Sequence, residues 1–254
     1  MMDFLKVTFL SVLQGVAEFL PVSSSGHLAV VRHYFGMGDA GLRLDIFLHV
    51  GTLFTVVFFY RKTVLRVLAE RQWGYILKLI VSAIPVGVAG FLLKDAVSNV
   101  SSVKLIGFSF IITGVVLFAG KAIKNSRGEV DFLRSLAMGL AQAAALFPGI
   151  SRSGMTISVA RALGVSPEKS AEFSFFMSII PIGGAALLDL LGGVSLAGSG
   201  GESVSWSLVL WGMAVSFVAG CISLLFLVRI VNSGKFWMFA PYCMFMGALV
   251  LILS

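Results

Sequence analysis

The segment QGVAEFLPVSSSGH at residues 14–27 returns in altered form as QAAALFPGISRSGM at residues 142–155, at an offset of 128 with no gap. Gln14, Ala17, Phe19, Ser23, Ser25 and Gly26 match Gln142, Ala145, Phe147, Ser151, Ser153 and Gly154. Each copy is an apolar run broken by a Ser-rich turn containing Pro and Gly. Broken backbone at membrane depth is tolerated only where it is buried in protein or lines a wet cavity. Two broken helices in a duplicated membrane protein mark a binding site near the repeat interface. The copies differ where chemistry would sit: the first carries Glu18, Ser24 and His27, and the second carries Arg152 in register with Ser24.

The rest of the chain fits a bilayer. Of its 254 residues 58% are hydrophobic and 12% charged, whereas a soluble domain is about 25% charged. The net charge of +7 does not indicate nucleic acid, because the basic residues cluster in short loops between apolar runs, as the positive-inside rule requires. Asp3 and Lys6 precede a segment bearing Gln14 and Glu18 with no small-residue cleavage site, so no cleavable signal peptide is expected. Cys221 and Cys243 fall in separate apolar runs and read as inert thiols.

Six apolar runs are long enough to span: residues 44–60, 76–93, 105–120, 173–191, 208–228 and 236–253. Two more, 4–20 and 135–147, end in Pro-containing turns and read as re-entrant hairpins. The expected fold is an all-α integral membrane protein, one domain over residues 1–254 with repeat halves near 1–127 and 128–254. Eleven of the nineteen basic residues, among them Arg61, Arg71, Lys124, Arg134 and Lys235, fall on alternate loops, which places those loops in the cytoplasm. Lys94 and Lys104 are the positive charges of one intervening loop, and residues 192–206 have none. Run 44–60 then points inward and run 173–191 outward, an inverted-topology repeat whose hairpins meet near the midplane. Ser24 or Ser25 would cap a short helix over 27–35 stopped by Gly36, and Ser153 one over 155–163 stopped by Gly164. Such helix N-termini suit an anion.

Within this frame, Glu18 follows Gln14 by four residues on one helical face. An acid inside a membrane segment is costly and signals function: it could hold a divalent cation, orient or deprotonate a nucleophile, or pair structurally with an Arg. Ser23, Ser24 and Ser25 stand beside His27, a base near a hydroxyl; a Ser-rich cap with an interfacial His is the plainer alternative. Arg152 offers a bidentate fork for phosphate between Ser151 and Ser153, with Thr156 one turn on. Asp45, His49 and Glu172 read as repeat-interface pairing or outer-cavity lining more than as chemistry. Asp189 lies near the outer end of its span. His33 and Arg161 read as faces of the short helices.

Residues 14–27, with (E/Q)xxxE followed by FLPVSSSGH, and residues 148–156, with PGxSRSxxT, resemble the two signature motifs of the bacterial undecaprenyl-diphosphate phosphatase family, also called the bacitracin-resistance protein family. The similarity continues through LDIFLHVGTL, ending at Leu53, and EFSF at 172–175. It implies hydrolysis of undecaprenyl diphosphate to undecaprenyl phosphate and inorganic phosphate, which recycles the lipid carrier of peptidoglycan synthesis and confers bacitracin resistance. It also implies a divalent cation, Mg or Ca, bound with the diphosphate and with Glu18 as a side-chain ligand. The setting implied is the plasma (inner) membrane, with the site toward the outer face. Carried over residue by residue, the catalytic positions are Glu18, Ser24, His27 and Arg152. Gln14, Ser23, Ser25, Ser151, Ser153 and Thr156 are expected to bind substrate. Gln14 stands where some members have Glu, which weakens any scheme needing two carboxylates on the metal. Either Ser24 or a water attacks, and either His27 or Glu18 manages the proton. The expected partners are the polyprenyl diphosphate lipid and the bilayer, with a homodimer compatible and nucleic acid excluded.

Other readings are a polyprenyl-phosphate flippase or transporter without hydrolysis, a type-2 phosphatidic acid phosphatase, and a membrane scaffold. The second lacks its later Arg-plus-His motif, since no His follows His49. The third leaves Glu18 and Arg152 as uncompensated costs.

Overall fold

The computed structural model describes residues 4–37, 39–93, 102–123, 126–191 and 204–254, without the side chains of 39–43, 189 and 190. Lys94, Lys124, loop residues 192–203 and the Asp189 side chain lie outside the described residues. The fold is helical: α1 (Phe4–Phe19), α2 (Ser24–Phe35), α3 (Asp39–Phe59), α4 (Arg61–Ala69), α5 (Trp73–Leu92) and α6 (Val103–Ala119) in the first half. The second half holds α7 (Phe132–Ala144), α8 (Arg152–Ala162), α9 (Pro167–Met177), α10 (Ile179–Leu191), α11 (Trp206–Asn232) and α12 (Ala240–Leu253).

Among the described residues, five stretches are long and apolar enough to cross a membrane: Trp73–Leu92, Val103–Ala122, Pro167–Leu188, Trp206–Asn232 and Phe236–Leu253. A sixth exists if Leu44–Phe59 and Arg61–Ala69, bent by 70° at Tyr60, form one span. The expected run 173–191 is split at Ser178 into α9 and α10: Pro181 cannot bond the carbonyl of Met177, and Ser178 closes α9 through its N–H to Phe175 O. Phe91, Leu188, Leu210, Ile222 and Ile252 point outward and are exposed. An apolar surface of that extent is stable only against lipid.

The repeat extends to helix ends. Helices α1 and α7 begin at Phe4 and Phe132, α2 and α8 at Ser24 and Arg152, and α3 and α9 at Asp39 and Pro167, each pair 128 residues apart. Helices α2 and α8 both stop at a left-handed glycine, Gly36 at φ 63° and Gly164 at φ 83°. The short helices start three residues earlier than the sequence suggests. Their caps are Ser23, whose Oγ accepts Gly26 N–H at 3.3 Å, and Ser151, whose Oγ accepts Gly154 N–H at 3.1 Å. The expected caps, Ser24, Ser25 and Ser153, are therefore corrected. A capping oxygen must reach back to the third helical N–H, and the earlier serine is the one that does, which leaves Ser24 free to turn elsewhere.

Packing exchanges the halves. Helix α1 lies along α11 and α7 along α5, while α6 and α12 pack on each other. Polar threads stitch the first interface: Trp211 Nε1–H donates to Thr8 Oγ1 at 3.0 Å and Ser223 Oγ to Val16 O at 2.8 Å. A core of Phe19, Val22, Ile157, Phe175, Leu224 and Cys243 joins α1, α8, α9, α11 and α12. This core fixes the two helix breaks against each other at the centre of the molecule.

Candidate active site

The two breaks touch. Ser23 adopts φ 65°, a left-handed conformation costly for a residue with a side chain. It is held there because its Oγ also accepts Gly149 N–H at 3.1 Å, across the repeat. Gly149 has φ 96°, and a Cβ there would stand 2.6 Å from Ile106 O, so no other residue fits. Thr113 of α6 clamps the second break, donating to Gly149 O and accepting from Ser151 N–H, both at 3.0 Å. Ser153 Oγ donates to Leu20 O at 3.3 Å.

With the turns fixed, their side chains converge on Glu18. Arg152 Nη2 donates to Glu18 Oε1 at 2.6 Å, and Ser24 Oγ donates to Oε2 at 2.6 Å. Gln14 Nε2 reaches Oε2 at 3.1 Å and His49 Nε2 lies 3.5 Å from it. Arg152 is further fixed by Nη1 donating to Ser174 O at 2.9 Å. These groups face a cavity of about 320 Å³. Its polar side includes Glu18, Ser23, Ser24, Ser25, His49, Gln142, Ser151 and Arg152; its apolar side includes Ile46, Val86, Pro181 and Ile182.

Other residues singled out from the sequence sit elsewhere. Neither His27, Gln14, Ser153 nor Thr156 lines this cavity. His27 Nδ1 lies 2.8 Å from Ser23 O, an acceptor only, so this nitrogen carries the proton. Its Nε2 accepts from Tyr242 OH at 2.7 Å, and its ring stacks on Tyr242 and meets the edge of Phe110. The imidazole beside the acid is that of His49, whose Nδ1 donates to Asp45 O at 2.7 Å and so aims Nε2 at Glu18. Thr156 Oγ1 donates to Arg152 O at 2.8 Å and lies 2.6 Å from Ser174 Oγ, so it supports the Arg152 turn. The Asp45 carboxylate pairs with Arg32 at 3.2 Å, within the first half and not across the repeat interface as expected. Glu172 pairs with Lys169 at 3.4 Å, in a separate polar pocket with Arg66 and Lys78. Sequence reasoning gave no role to Thr113 and Gln142. The i, i+4 spacing of Asp45 and His49 was the available signal for His49.

No three of His, Cys, Asp and Glu converge on a metal position among the described residues. Among the described residues Glu18 is the single carboxylate lining the cavity, and the Gln142 amide there is buried without partners. That donor set fits a hard cation shared with substrate phosphates, the usual mode for Mg²⁺, and does not fit an all-protein cage.

Fold and site together define a multi-pass helical membrane protein with an acid, a guanidinium and a hydroxyl gathered at two helix N-termini inside it. The family described as bacitracin resistance protein BacA matches residues 7–249, and the chain belongs to that family. It is 35% identical over 260 residues to a protein of Halothermothrix orenii named undecaprenyl-diphosphatase, covering 100% of this chain and 99% of that one. A Bacteroides fragilis protein of the same name is 34% identical over 264 residues, covering 100% and 99%. Undecaprenyl-diphosphatase 3 of Bacillus cereus is 36% identical over 257 residues, covering 100% and 98%.

Proposed function

We propose that this protein hydrolyses undecaprenyl diphosphate to undecaprenyl phosphate and inorganic phosphate, returning the lipid carrier to peptidoglycan synthesis and conferring bacitracin resistance. The observation that carries the mechanism is the bonding of Glu18 to Ser24 within its own half and to Arg152 from the other.

Phosphoryl transfer asks for positioning and for stabilisation of charge on the transferring group. Arg152 supplies a two-pronged donor for phosphate oxygens once substrate competes with Glu18. The N-termini of α2 and α8 add backbone N–H groups and partial positive charge. Glu18, relieved of Arg152, accepts the Ser24 proton. Ser24 Oγ bonds to the terminal phosphorus, the bond from phosphorus to the bridging oxygen breaks, and undecaprenyl phosphate leaves with that electron pair. Water then attacks the phosphoserine, giving its proton to His49, and inorganic phosphate departs as Ser24 takes its proton back from Glu18. A divalent cation held between Glu18 and the diphosphate would neutralise charge on the phosphates. His27 acts on this site through the Ser23 carbonyl, keeping Ser24 in place. The apolar wall of Ile46, Val86, Pro181 and Ile182 receives the first prenyl units.

The register of helix ends and the exchanged packing support an inverted-topology repeat, with α1 and α7 as the first arms of two re-entrant hairpins. The basic loops support a plasma-membrane orientation in which the site opens outward.

Phosphate release from undecaprenyl diphosphate in detergent, with and without EDTA, tests this reading. The parent protein should release phosphate only without EDTA, and Arg152→Ala should lose at least about 10²-fold, the scale for removing one donor to transition-state charge. No release from the folded parent would sink the phosphatase and favour a transporter.

A further inference from the structure

Gln142 is 3% exposed, and neither its Nε2 nor its Oε1 has a partner among the described residues. It sits in the last turn of α7, just before the second break, and lines the cavity that holds Glu18, Ser24 and Arg152. Its repeat counterpart Gln14 spends its Nε2 on Glu18 Oε2 at 3.1 Å and Thr52 Oγ1 at 3.5 Å. A buried amide with both ends unbonded destabilises the protein that carries it, and an apolar side chain of equal size would fill the position without that cost. A ligand that bonds the amide accounts for its presence.

The surrounding groups select the ligand. Arg152 and the hydroxyls of Ser25 and Ser151 can donate, while Glu18 is already bonded by Arg152 and by the one O–H of Ser24. A ligand here meets mostly donors, so it must be rich in acceptor oxygens. We infer that Gln142 is a binding residue for the diphosphate headgroup, its Nε2–H donating to a non-bridging phosphate oxygen. This inference rests on the phosphatase reading above. The amide adds a donor without adding charge, and its free Oε1 accepts from a water or hydroxyl in the filled cavity. The contact is to the headgroup, so its worth does not depend on the length of the prenyl chain.

The test compares the parent with Gln142→Leu, Gln142→Met and Gln142→Glu. It measures the melting temperature without substrate, and kcat and KM on undecaprenyl diphosphate and on farnesyl diphosphate. Gln142→Leu should melt at or above the parent, since an unbonded amide is gone. Its kcat/KM should fall roughly tenfold to hundredfold, the worth of a hydrogen bond to a charged group, and by the same factor on both substrates. Gln142→Glu should fall further, because it sets a negative charge against the phosphate. Unchanged kcat/KM in Gln142→Leu, or a loss confined to the long substrate, overturns the inference. Should Gln142→Leu fail to fold, Gln142→Met, unbranched like Gln, carries the same comparison. Failure of both would mean that the amide is bonded within the empty protein, and this too overturns the inference. A parent that releases no phosphate from either substrate sinks the underlying phosphatase reading instead, a result separate from any difference between variants.

Discussion

A single carboxylate organises the candidate site. Glu18 is 8% exposed and is bonded by a guanidinium and a hydroxyl, with an amide and an imidazole close by. Glu18 and Arg152 could be picked out from the sequence because ionisable groups inside apolar runs are too costly to be idle; spacing did not separate Ser24 from Ser23 and Ser25, and only the family resemblance singled it out. The two histidines could not be ranked that way. His27 stands next to three serines in the sequence, yet helix α2 turns its ring toward Tyr242 and Phe110. His49 lies 31 residues from Glu18 in sequence and reaches it through the packing of α3 beside α1. Adjacency along a chain does not fix direction around a helix. The two residues should therefore fail differently. His27→Ala leaves the Tyr242 hydroxyl without its acceptor and takes one of two donors from the Ser23 carbonyl, which keeps the backbone N–H of residue 27, and should cost about 1–3 kcal/mol, read as a lower melting temperature in detergent. His49→Ala should leave the melting temperature near the parent's while kcat falls by roughly 10²-fold, the low end for general acid–base groups. A His49→Ala enzyme with the parent's kcat would remove His49 from the proton path.

At the scale of elements, the helix breaks, the glycine stops and the duplication were legible in the sequence, since Ser, Pro and Gly have few places in an apolar run. What was not legible was which serine caps. Ser23 and Ser151 were hidden among neighbours of the same type, and only the reach of Oγ to the third N–H separates them. The split of α9 from α10 at Ser178 also escaped, although Pro181 marks it: it has no N–H for the carbonyl of Met177, four residues back, where α9 ends. Two glycines that share a positive φ should respond very differently to substitution. At Gly36, with φ 63° and open space around it, Ala should cost about 1–2 kcal/mol, the price of a left-handed residue with a Cβ. At Gly149, with φ 96°, the new Cβ meets Ile106 O and Ser109 Cβ at 2.6 Å, and Ala should prevent recovery of folded protein. Thermal melts of the two variants check the contrast; equal stability would mean that the breaks do not pack as described.

For the whole molecule, duplication explains how a chain with 12% charged residues assembles a polar site inside lipid. Each half contributes one helix N-terminus and part of the chemistry, and neither half carries both Ser24 and Arg152. Exchange of α1 and α7 onto the opposite half locks the breaks together. Hydropathy and loop charge were enough to recognise a membrane protein and most of its spans. The bend of 70° after α3 was not foreseen, because the apolar pattern stops at Tyr60 while the helical path resumes at Arg61. If both breaks form one catalytic unit, the phosphatase rates of Ser24→Ala, Arg152→Ala and the double variant will show it. Residues acting as a unit lose activity non-additively, so the double variant should be no slower than the slower single one. Losses that multiply, or a single variant at the parent's rate, would contradict a shared site.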